Sequence, residues 1–149
     1  MAAGVETSTK GKAMIFDMQT LLSDAQAITA TAASTNTIDL GPIANGIVRD
    51  IGKGKPIPLR IQVVEAFNNL TSLTIALQVD DNSGFASPKT IWSQVVVLAD
   101  LIAGKVIVPE WVLRGTDERY MRLNYTVTGT APTTGKVTAG VVMGAQSNG

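Results

Sequence analysis

Three segments of this chain alternate apolar and polar residues with a period of two, and this alternation limits the fold more than any other feature. Successive side chains of a β-strand point to opposite faces, so each segment predicts a strand with one buried and one exposed face. The apolar positions are Leu73, Ile75, Leu77 and Val79 in the first segment, Met121, Leu123, Tyr125 and Val127 in the second, and Val137, Ala139, Val141 and Met143 in the third.

Shorter apolar runs between turn signals predict further strands. Residues 57–67, 89–97 and 105–108 each carry such a run, and Asn68-Asn69 predicts a tight turn after the first, since Asn tolerates positive φ. The result is roughly eight or nine short strands with little room for helix, which is typical of an antiparallel sandwich or a small barrel. We therefore predict an all-β protein.

The N-terminal part divides into an arm and the start of the domain. Residues 1–13 are small and polar and predict a flexible N-terminal arm, which leaves residues 14–149 as a single β-sandwich domain. Residues 14–22 predict a strand or an extended segment with apolar anchors. In residues 23–36 the alanines favour a short helix capped by Ser23, whereas Thr29 and Thr31 argue against it.

The composition contains little catalytic chemistry. The chain has no His and no Cys, and its 12 basic residues balance its 12 acidic residues. The residue best suited to proton transfer at neutral pH and the strongest thiol nucleophile are both missing. We therefore expect no enzyme, no catalytic residue, no cofactor and no metal site. A net charge of zero also provides no field that would attract nucleic acid or an anionic membrane surface, so we expect neither partner.

Two motif-like stretches are better explained as loops. Residues 129–136 lack the spacing, the Ser or Thr after the lysine and the following helix that a phosphate loop needs. Residues 80–84 lack the alternating ligands and the final Glu of a calcium loop, and predict a polar turn.

Seven residues are candidates for contacts with a partner. The loop from Arg49 to Lys55 is the largest local cluster of basic residues and is either solvated or in contact with an acidic protein surface. Trp92 is either part of the core or an interface anchor. The candidates are Lys10, Lys12, Arg49, Asp50, Lys53, Lys55 and Trp92.

Three parts of the sequence resemble the capsid cement proteins of Bordetella-type short-tailed phages. The most specific part is residues 14–41 (MIFDMQTLLSDAQAITATAASTNTIDLG), and the second is residues 49–59 (RDIGKGKPIPL). The third joins Val108-Pro109 to residues 119–129 (RYMRLNYTVTG) and 134–142 (TGKVTAGVV). Together they span nearly the whole chain from residue 14.

The resemblance implies a jelly-roll β-sandwich that binds the major capsid protein on the outside of the phage head. A protein of this kind lies at subunit junctions, stabilises the expanded shell and is often a homodimer. It is made in the bacterial host cytoplasm and resides on the exterior of the virion. A tail or head-fibre adaptor of similar architecture and a carbohydrate-binding β-sandwich module are the alternatives.

Overall fold

The computed structural model describes residues 16–43 and 49–142 of the chain. Within those residues the secondary structure is nine β-strands and one short 3-10 helix, and the strands form two antiparallel sheets. The strands are β1 (Phe16–Ala27), β2 (Ala32–Ala33), β3 (Ile38–Asp39), β4 (Leu59–Glu65), β5 (Leu70–Asp80), β6 (Lys89–Val97), β7 (Val106–Ile107), β8 (Tyr120–Gly129) and β9 (Lys136–Val142), and the 3-10 helix is Leu98–Asp100.

The strand pairing is nested, which identifies the topology. One sheet has the order β1-β9-β4-β7 and the other β2-β8-β5-β6, and β3 also pairs with β8. Thus β1 pairs with β9, β2 and β3 pair with β8, β4 pairs with β7, and β5 pairs with β6. When these nested pairs assemble into two sheets, β4 also pairs with β9 and β5 also pairs with β8. This is the strand order of a jelly roll, so the predicted all-β, jelly-roll-type sandwich is confirmed.

The core lies between the sheets where the alternation predicted it. The apolar positions of β5 and the first three of β8 are fully buried, as are Val137 and Ala139 of β9. Val127 and Val141 are partly buried against the same cluster, and Met143 lies outside the described residues. The facing strand β4 adds Leu59, Ile61 and Val63. Two sheets that each hide one face in this way account for the observed period of two.

The short helix considered for residues 23–36 does not form. β1 continues through this segment to Ala27 and pairs with β9, with irregular register and a positive φ of 44° at Ala25. The Ser23 hydroxyl donates to Gln26 Oε1, and Gln26 in turn donates to the carbonyl of Ala33, so neither residue serves a helix. Pairing with a buried strand outweighs the weak helix preference of isolated alanines.

The two ends of the sandwich carry different loops. β1 begins and β9 ends at one end, because Phe16 pairs with Val142. The connections 40–58, 81–88 and 108–119 lie at this same end, since they precede β4, follow β5 and precede β8. The connections 66–69, 98–105 and 130–135 lie at the opposite end. Asn69 has a φ of 69° in the first of these, as predicted for the turn.

Candidate interaction surface

Two loop segments at one end of the sandwich lie side by side. Residues 49–59 run antiparallel to residues 110–116, and together we call them the loop platform. Leu59 N–H donates to the carbonyl of Glu110 at 3.0 Å, Val112 N–H donates to that of Ile57 at 2.9 Å, and Ile51 N–H donates to that of Thr116 at 3.1 Å. Apart from Leu59, the first residue of β4, these segments belong to no strand, and the hydrogen bonds fix them as a defined surface on a rigid scaffold.

A glycine allows the two segments to touch. A Cβ built on Gly52 would lie 1.8 Å from the carbonyl oxygen of Leu113 and 2.5 Å from the amide nitrogen of Arg114. No side chain fits there, because these atoms belong to the backbone. Immediately after this contact the chain projects into solvent as Lys53-Gly54-Lys55-Pro56, all of which are exposed. The predicted loop therefore has an anchored base and a free basic tip.

Asp50 holds the base of the platform. Its carboxylate accepts hydrogen bonds from the N–H of Gly115 at 2.8 Å and from the N–H of Gly52 at 2.9 Å. Desolvation acts to raise the pKa of Asp50, but these backbone N–H groups and the nearby charge of Lys53 outweigh it and hold the pKa below its usual value. Asp50 thus stays ionised and works within the platform, not toward a partner.

Arg49 is also used internally. Its Nη1 donates to the carbonyl of Leu40 at 2.7 Å and its Nη2 donates to that of Gly41 at 2.9 Å. Beside it, Arg119 makes a two-pronged contact with Asp39, with both N···O distances at 2.9 Å. The hydrogen bonds from Arg119 and from the Gly41 N–H lower the pKa of Asp39 to about 2. These contacts hold the end of β3 and the residues just after it against Arg49 and Arg119, which lie in later loops.

The structure therefore divides the seven sequence candidates. Arg49, Asp50, Lys53 and Lys55 come together on the platform, but only the two lysines point away from it into solvent. Trp92 lies on β6 opposite Leu77, is partly buried and packs against the core, so it is on neither loop segment. Lys10 and Lys12 lie outside the described residues.

The folded structure adds two residues to the loop platform that were not among the seven sequence candidates. Arg114 is exposed on the second segment, and Trp111, whose backbone bridges to Pro58, is 50% exposed. The sequence marks Trp111 as a large aromatic but gives no sign that it lies next to residue 58. Arg114 carries no signal of its own, since its role depends on the contact of Gly52 with Leu113.

A second feature lies between the edge strands β6 and β7. A cavity of about 170 Å³ is lined there by Gln94, Val95, Val96, Asp100, Lys105 and residues 106–108. Val96 is buried, whereas Val95 and Val97 are 56% and 50% exposed. Val96 therefore faces the core, and Val95 and Val97 lie on the opposite face of β6, which no other described residue covers fully.

The described residues show neither a metal-binding cluster nor a membrane-spanning helix. Residues 16–43 and 49–142 contain no group of three or more His, Cys, Asp or Glu placed to hold a metal ion. The same part of the chain contains no helix with the length and apolar character needed to cross a membrane. Asp80, a residue of the excluded calcium motif, instead accepts the N–H groups of Asn82 and Ser87 and closes a turn.

The chain matches the model of a known protein family. The model of the Bbp16 family matches residues 22–141, a range that includes the whole loop platform and all but the ends of the sandwich. No curated protein matches the chain. The family's name suggests a Bordetella phage protein, which fits the phage resemblance of the sequence.

Proposed function

This chain belongs to the Bbp16 family, and from that membership we propose that it is a phage capsid cement protein. It binds the outer surface of the shell formed by the major capsid protein, at junctions between subunits, and stabilises the expanded head. The observation that carries the proposal is the family match over residues 22–141, taken together with the capsid cement resemblance of the same segments.

The architecture suits this role. A jelly roll holds its loops on two packed sheets, so the loop platform keeps its shape before it meets a partner. A small rigid module that touches two shell subunits at once adds contact area only where both are present. Because the second contact is then made at high local concentration, modest affinity for each subunit is enough.

The proposal involves no catalysis, cofactor or nucleic acid. The sequence has no His and no Cys, so the usual proton-transfer and thiol chemistry is missing. In the proposal the chain is made in the bacterial host cytoplasm and ends on the exterior of the virion. It acts there as a homodimer, as the family resemblance implies, which light scattering of the purified protein would test.

Copy number tests the proposal. Purified virions of the phage that encodes this chain would be analysed by quantitative mass spectrometry against the major capsid protein. A ratio near one to one, or a simple fraction fixed by shell symmetry, is expected for a cement that covers the whole shell. A few copies per particle would instead indicate a tail or head-fibre adaptor, and absence from the virion would refute a structural role.

A further inference from the structure

The most exposed charged residues of the loop platform are all positive, whereas its acidic residues Asp50 and Glu110 are partly buried, although the whole chain is neutral. Asp50 is bound to backbone N–H groups, and Glu110 forms a salt bridge with Arg60 at 3.0 Å. By contrast, none of the exposed cations of the platform forms a salt bridge with another described residue. These cations are Lys53, Lys55 and Arg114, which we call the basic edge.

The other acidic residues near the platform interact with cations outside the basic edge. Asp117 accepts a hydrogen bond from Lys89 at 2.7 Å, and Glu118 also acts on the charge of Lys89. Asp39 is held by Arg119. Apart from the influence of Lys53 on Asp50, the basic edge is therefore a cluster of cations without a salt-bridge partner among the described residues.

The three cations are neighbours because of Gly52. Its backbone contacts that of Leu113 and Arg114, which places the start of the Lys53–Lys55 tip against the segment that carries Arg114. Trp111 lies on that same segment with half of its surface exposed. Arg and Trp are the residues most often found to dominate binding energy at protein interfaces. A half-exposed Trp on the segment that carries Arg114, together with cations that form no salt bridge, is suited to an acidic protein surface.

We infer that the basic edge, with Trp111 as its aromatic anchor, docks onto a carboxylate-rich surface of the shell subunit. This inference rests on the proposed function and names the partner's chemistry at the contact. Lys53 and Lys55, at the projecting tip of the loop, are the first groups of the platform to meet the shell subunit. Charges at the rim of an interface chiefly accelerate association and make binding sensitive to salt. Trp111 provides the part of the affinity that salt does not screen.

Binding to heads tests the inference. Expanded heads from a phage mutant that lacks this gene would be titrated with purified protein, and unbound protein measured after sedimentation. The series would extend to about 1 M salt, where charges are screened beyond roughly 3 Å. We expect the double variant Lys53→Gln/Lys55→Gln to bind about tenfold more weakly at low salt and with a shallower salt dependence. Trp111→Ala should weaken binding by about thirtyfold at every salt concentration.

A matched control removes the same charge elsewhere. Lys105 and Lys136 lie at the opposite end of the sandwich, so Lys105→Gln/Lys136→Gln should bind like the unmodified protein. Thermal unfolding would verify that each variant is folded. If the unmodified protein fails to bind heads, the proposed function fails. If it binds but the tip variant keeps the same affinity and salt dependence, only the inference fails.

A carbodiimide cross-link provides a second readout. This reagent joins a lysine amine directly to a carboxylate in contact with it. Applied to intact virions, it should join Lys53 or Lys55 to Asp or Glu residues of the major capsid protein, as identified by mass spectrometry. Links from Lys105 or Lys136 to the shell, with none from the tip, would overturn the inference.

Discussion

The phenol oxygen of Tyr125 lies 2.8 Å from Oγ of Ser23, so a buried hydrogen bond joins β8 of one sheet to β1 of the other. The Ser23 hydroxyl donates its hydrogen to Gln26 Oε1 at 2.6 Å, which leaves Tyr125 as the donor to Ser23. Gln26 also accepts the N–H of Thr35 and donates to the carbonyl of Ala33. These four hydrogen bonds join Ser23, Gln26 and Tyr125 into one network.

Replacement of Tyr125 by Phe should lower the free energy of unfolding by about 1–2 kcal/mol, the usual cost of a lost buried hydrogen bond. The ring remains and fills the same space, so the fold should persist. Chemical denaturation would measure the change. Tyr120→Phe is the control, because Tyr120 is only partly buried and lies near the surface under Arg119. Equal stability of the two variants would contradict the prediction.

The same tyrosine makes stability depend on alkaline pH. Burial raises the pKa of the Tyr125 phenol well above its ordinary value, and the hydrogen bond with Ser23 only partly opposes that rise. Because its pKa is raised in the folded state, Tyr125 contributes stability that is fully present below about pH 10, the pKa of tyrosine in the unfolded chain. This stability is lost as the pH rises further. We expect the unmodified protein to lose up to about 1.4 kcal/mol more per pH unit in that range than Tyr125→Phe. Parallel pH profiles would refute this.

The inward faces of the strands could be predicted from sequence, but the contacts between distant segments could not. A period of two is a local property, so the buried faces of β5 and β8 follow directly from their residues. The partnership of Tyr125 with Ser23 depends on the irregular register of β1 against β9. That register is set by tertiary packing, which also explains why the alanines of residues 23–36 do not form a helix.

The candidate site was predictable to a similar degree. The sequence correctly predicted a loop with a cluster of basic residues from Arg49 to Lys55. Composition alone could not show that Arg49 would donate to the carbonyls of Leu40 and Gly41, or that Asp50 would accept backbone N–H groups of the platform. Nor could it show that Arg114, far along the chain, would join the basic edge, because the contact through Gly52 exists only in the folded protein.

The carboxylate of Asp39 should titrate far below its ordinary range. Its hydrogen bonds with Arg119 and with the Gly41 N–H lower its pKa to about 2. A lowered folded-state pKa gives stability that is present above about pH 4, the unfolded value, and is lost as the pH falls through the folded value. Carbon NMR would follow the titration. In Arg119→Gln the pKa should return toward 4, whereas Arg114→Gln should leave it unchanged; an unperturbed midpoint in the unmodified protein would contradict the assignment.

Replacement of Gly52 by Ala should separate the two segments of the loop platform. The added Cβ would lie 1.8 Å from the carbonyl oxygen of Leu113, a backbone atom that cannot rotate away. We expect the free energy of unfolding to fall by about 1–3 kcal/mol, as for other overpacked sites. Gly84→Ala is the matched control, since its Cβ would meet only the side-chain oxygen of Asn82 at 3.1 Å, and it should cost less than about 0.5 kcal/mol. Because the basic edge depends on the same contact, Gly52→Ala should also bind heads more weakly than Gly84→Ala at temperatures where both variants are folded. Unchanged stability and binding in Gly52→Ala would mean that the two segments do not form one surface.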